Sequence, residues 1–132
     1  MKIELVNIAV AKLLKDIGFN ETTYYFYDKN NKIHFSKNTN NILSFDNYSC
    51  PTINEAIIWV INNTDITPEI IPIFDKNNGC IKYGYRILTK DDFYEGRNVD
   101  LNKNIYEFEY QASNDSLIEC IEKYKYQKSN IK

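Results

Sequence analysis

Residues 50–61 read Cys-Pro-Thr-Ile-Asn-Glu-Ala-Ile-Ile-Trp-Val-Ile, and no other stretch constrains the fold as tightly. Thr52 and Glu55 stand three apart, the spacing of a capping box. In that arrangement the hydroxyl accepts from the N3 amide while the carboxylate reaches back to the N-cap amide. The pair predicts a helix from Ile53 to about Asn62, ended by Asn62-Asn-Thr-Asp65. Its second half is apolar on nearly every side, so it needs cover on more than one side and should be the central helix.

The rest of the chain arranges itself around this element. Val6, Ala9, Val10, Leu13, Leu14 and Ile17 fall on one helical face, and Gly18 follows as a residue able to take φ > 0. Residues 22–28 are β-branched and aromatic, and the turn at 28–31 leads into 32–36, which predicts a hairpin. Residues 42–45 read as a short third strand. Pro68 and Pro72 cannot donate to a ladder, so the strand at 66–74 belongs at an edge. Over 80–88, Ile81, Tyr83, Tyr85 and Ile87 alternate with Lys82, Gly84 and Arg86. Residues 89–104 look like a long exposed loop, and Tyr106, Phe108 and Tyr110 like a last strand. Asn114 to about Gln127 closes the chain as a helix with Leu117, Ile118, Ile121 and Tyr124 facing inward.

The order is α-β-β-(β)-α-β-β-β-α, and short turns between strands imply antiparallel pairing. The fold class expected is α+β: an antiparallel sheet of four to five strands with three helices on one face. The opposite face would then carry aromatics and lysines. A length of 132 residues fits a single domain, 1–127, with 128–132 as a frayed tail.

Composition excludes some classes. The formal net charge is −2, and basic charge is 14 Lys against only Arg86 and Arg97. That leaves no basic field for duplex phosphates and few of the side chains that read guanine in bidentate fashion. Cys50, Cys80 and Cys120 are odd in number and match no zinc spacing, so neither a disulfide framework nor a structural metal is expected. No apolar run approaches the length of a membrane span, and the N-terminal residues make a poor signal peptide, so the cytoplasm is the expected location. Ile, Asn, Lys and Tyr supply nearly half the chain, the mark of an AT-rich gene. The four N-x-S/T triplets follow from that bias.

Pro51-Thr52-x-x-Glu55-x-x-x-Trp59, set after a helix ending in Gly18-Phe19, resembles a recurring group of small uncharacterised proteins of Bacteroidetes and their phages. The sequence departs from that group in its later strand, where Tyr83 and Tyr85 stand in place of tryptophans. The resemblance implies a phage or mobile-element origin and carries no activity.

Candidate chemistry is sparse. His34 is the only histidine and lies on a predicted strand. Cys50 sits near the start of the second helix, where a helix dipole lowers a thiol pKa, and it is the best candidate nucleophile. Asp91, Asp92 and Glu95 cluster without the ligand alternation of a calcium loop. No cofactor motif is present. Tyr24, Tyr25, Phe26 and Tyr27 are consecutive, so two of the four must point away from the core. With Lys82 and Arg86 they form the expected contact surface.

The reading is a non-enzymatic interaction protein that binds a protein partner, or a second copy of itself, through an aromatic sheet face or edge. A single-stranded nucleic-acid binder is the first alternative, and a small enzyme using Cys50 or the acidic 91–95 segment the second.

Overall fold

The computed structural model describes residues 3–96 and 99–130. The chain is α+β, with four helices and two antiparallel sheets. Its elements are α1 (Ile8–Asp16), β1 (Thr23–Tyr27), β2 (Ile33–Asn38), β3 (Tyr48–Ser49), α2 (Ile53–Thr64), β4 (Ile66–Asp75), β5 (Cys80–Thr89), α3 (Lys90–Glu95) and α4 (Glu109–Ser129). The expected single sheet is instead a three-stranded sheet, β2-β1-β3, and a two-stranded one, β4-β5. Two compact units result, and their boundary falls inside α2, between Trp59 and Val60.

In the first unit, the Asn7 side chain caps α1 by accepting from the Val10 amide at 3.0 Å. Val6, Val10, Ala11 and Leu14 are buried, while Ala9 turns outward and Ala11, outside the expected face, is buried in its stead. Gly18, at φ 95°, turns the chain out of the helix. The β1–β2 hairpin pairs Tyr25 with Phe35, Phe26 with His34 and Tyr27 with Ile33. Between the Tyr25–Phe35 and Thr23–Asn38 pairs, β2 has one residue more than β1, a bulge that interrupts its outer edge at 36–37. Lys32 and Lys37 flank the pairable segment, a second device against strand addition.

The expected strand at 42–45 is a turn. The Ile42 and Leu43 amides both donate to the Thr39 carbonyl, and the third strand comes later, at Tyr48–Ser49. A buried polar network fixes this arrangement. Asn38 Oδ1 accepts from Thr23 Oγ1 at 3.0 Å and Ser49 Oγ at 2.6 Å. Asn38 Nδ2 donates to the Tyr25 and Ser36 carbonyls at 2.9 and 2.8 Å. Beside it, Asn40 donates to the Phe19 carbonyl and accepts from the Ser49 amide. Each group finds a partner, so the network specifies the strand register at little cost.

The capping box opens α2 as expected: Glu55 accepts from the Thr52 amide at 2.9 Å, and Thr52 Oγ1 from the Glu55 amide at 3.1 Å. Ile53, Ala56, Val60 and Thr64 are its buried positions, and Ile58 is 60% exposed. The helix is covered along one stripe, not on all sides.

In the second unit, β4 and β5 form a ten-residue antiparallel ribbon on which α4 packs. Tyr83 and Tyr85 turn their peptide groups away from β4: Tyr83 exchanges both backbone bonds with Tyr106, and the Tyr85 carbonyl accepts from Asn102. Residues directly opposite in an antiparallel ladder share orientation. Pro72, opposite Tyr83, and Pro68, opposite Ile87, therefore point their ring nitrogens at the outer edge of β4. The missing donors cost the ribbon nothing, and the edge expected from the prolines is where they lie.

Tyr106 makes only this isolated bridge, and the expected last strand ends there. Helix α4 begins at Glu109, five residues before the expected Asn114, with Gln111 accepting from the Phe108 amide at 3.2 Å. It continues through Ser129, so 128 and 129 belong to its last turn, with Asn130 as its cap. Residues 131 and 132 of the expected tail lie outside the described residues. Ala112, Ser113, Asn114, Ser116, Leu117, Cys120 and Ile121 are its buried positions, and Ile118 and Tyr124 are half-buried.

A fourth helix, α3, occupies part of the expected 89–104 loop. Thr89 and Asp92 cap it reciprocally, the Thr89 amide donating to Asp92 Oδ2 at 2.8 Å and the Asp92 amide to Thr89 Oγ1 at 3.3 Å.

Candidate functional site

The four consecutive aromatics of β1 separate by role. Tyr27 is buried, and its hydroxyl donates to the Val6 carbonyl at 2.8 Å. Phe26 is half-buried and stacks on His34, with ring centroids 4.9 Å apart. His34 Nε2 in turn lies 2.7 Å from Asp28 Oδ2. That contact, with the Lys32 amide, holds the Asp28 carboxyl down at about 2. His34 is thus a hairpin staple.

Tyr24 and Tyr25 form a surface. They line a groove of about 310 Å³ together with Ile3, Phe35, Cys50, Thr52 and Glu55. Phe35 is 75% exposed, Ile3 62% and Tyr24 54%. The Tyr25 and Phe35 rings meet at 5.1 Å as a cross-strand pair. Neither Ile3 nor Phe35 stood out in the sequence. The signal for Phe35 was its place opposite Tyr25, which becomes readable once the hairpin register is known.

Cys50 lies at the groove floor, 1% exposed, with its Sγ 3.4 Å from the Val6 carbonyl. It is two residues before the Thr52 cap. Burial pushes its thiol up to about 12, against a smaller lowering from the Tyr27 hydroxyl. This is the reverse of an activated nucleophile. Cys120, buried in α4, is also pushed up to about 12 by burial. Cys80 is exposed at the ribbon end.

Both buried thiols ionise more readily once unfolded, where a thiol titrates near its ordinary value of about 8.5. The folded chain holds more protons between that value and 12, so stability falls with rising pH there and is level below it. Urea midpoints measured from pH 7 to 11 should show a plateau followed by a decline. At pH 7, Ellman's reagent should modify Cys80 at least about tenfold faster than Cys50 or Cys120.

The remaining candidates lie in the second unit. Arg86 makes a bidentate pair with Glu69, both contacts at 3.1 Å, and donates to the Val99 carbonyl at 3.2 Å. Lys82 lies 3.6 Å from Glu107. Asp92 is the capping residue of α3, and Asp91 and Glu95 are exposed. Arg97 lies outside the described residues. Among the described residues, no cluster of three or more His, Cys, Asp or Glu side chains is placed to hold a metal ion, and no helix is long and apolar enough to cross a membrane.

The chain matches no known family model, no curated protein and no solved structure.

Proposed function

We propose that this is a non-enzymatic interaction protein that docks a protein partner on the aromatic groove of its first hairpin. The observation that carries this reading is the concentration of Ile3, Tyr24 and Phe35, all more than half exposed, around one concave surface. Rigid aromatics at the rim of a pocket are the usual anchors of an interface, because they bury much area for little lost side-chain freedom. The groove walls are stiff: β1 is held by the Asn38 network, and the opposite wall is the capped start of α2. Lys82 and Arg86 are not in its lining and are paired within the second unit, with Glu107 and Glu69.

The test is affinity capture from the native host with wild type, Tyr24→Asp, and Tyr126→Asp as an exposed control outside the groove. One captured protein should disappear with Tyr24→Asp alone. Retention of every captured protein by Tyr24→Asp would sink the reading. An apolar interface should also hold as salt rises from about 50 to 200 mM, where a nucleic-acid complex with several phosphate contacts loses orders of magnitude in affinity.

A further inference from the structure

The turn segment at residues 42–47 leaves its large apolar side chains Ile42 and Phe45 in solvent. Phe45 is 92% exposed and Ile42 82%, so hydrophobic packing contributes little there. Its backbone converges instead on one side chain of α1. Lys15 Nζ donates to the carbonyls of Ser44 at 3.0 Å, Phe45 at 3.1 Å and Asn47 at 2.7 Å. An ammonium has three hydrogens and no acceptor, and all three are matched. The Tyr48 ring closes another side, its centroid 5.0 Å from the same nitrogen. Lys12 lies over that ring too, at 5.6 Å, and Asp46 offsets part of the cost of withdrawing the ammonium from water.

We propose that Lys15 is the tethered cation of a carbonyl cage, and that the cage is a latent site for a potassium- or ammonium-sized monovalent ion once the side chain is shortened. Three carbonyl oxygens at these distances replace part of a potassium-sized ion's hydration shell, the device that rings of carbonyls carry further in selective potassium sites. Lysine supplies that charge permanently, so the turn needs no ion from solution and presents Phe45 in one arrangement. The cage lies outside the groove lining, so it stands or falls independently of partner docking.

The test is limited chymotryptic cleavage after Phe45, followed by mass spectrometry on the full chain. Lys15→Ala should speed cleavage at that bond at least tenfold while cleavage elsewhere stays at the wild-type rate. Potassium or ammonium chloride should restore protection in Lys15→Ala, and lithium chloride at equal ionic strength should not. Lys15→Met, which fills the space with an uncharged stem, should be as labile as the alanine variant and insensitive to the cation. Wild-type protection in Lys15→Ala, or loosening that spreads across the chain, would overturn the proposal. So would rescue that ignores ion size or acts equally on Lys15→Met.

Discussion

Asn38→Leu should unfold the first unit at far milder conditions than wild type, with a loss of about 3–4 kcal/mol. Leucine keeps the branching of the side chain, so the lost hydrogen bonds dominate, with added crowding where methyl groups replace atoms held at hydrogen-bond distance. The Thr23 and Ser49 hydroxyls lose their shared acceptor, and the Tyr25 and Ser36 carbonyls each lose a donor. Asn38 and Ser49 are 5% and 0% exposed, so little water can step in. For a chain of this length, that loss lowers Tm by roughly 10–15 °C. Adding Ser49→Ala to Asn38→Leu should recover part of it, because an apolar pair costs less than one stranded hydroxyl. Thermal melts of the two single variants and the double variant would check this. Additive losses would contradict a coupled network.

Leu117→Ala should be nearly as damaging in the second unit, at about 2–5 kcal/mol. Leu117 is fully buried, on the face of α4 that packs against the β4–β5 ribbon. Truncation removes the transferred methyl groups and leaves a cavity that the ten-residue ribbon cannot readily close. Leu117→Met, which keeps most of the volume, should cost less than about 1.5 kcal/mol. Chemical denaturation followed by circular dichroism separates the two. Equal losses would mean that volume is not what Leu117 supplies.

The elements that were legible in the sequence announce themselves over short distances. Thr52 and Glu55 marked the start of α2, Gly18 the end of α1, and the polar turn at 28–31 the hairpin. Misreadings came where one local pattern served two structures. Tyr106, Phe108 and Tyr110 alternate like a strand, yet only Tyr106 pairs, and the chain then coils into α4. Residues 42–45 are apolar enough for a strand, but the lysine that holds them as a turn is some thirty residues earlier. Thr89 and Asp92 did carry a capping signal, hidden within an acidic cluster. Least legible was the candidate site. Asn38 is one of 18 asparagines in a chain biased toward that residue, and nothing local distinguishes it from filler. Ile3 joins Tyr24 and Phe35 only through tertiary packing.

The placement of Pro68 and Pro72 has a consequence for how the chain behaves when it is not folded. Amyloid-type zippers stack segments of six or seven residues that lack proline. Within β4, one of the two longest and most isoleucine-rich strands, the prolines leave no proline-free stretch longer than three residues. In a newly made or heat-opened chain, β4 is therefore an oily strand that makes a poor seed for a fibre.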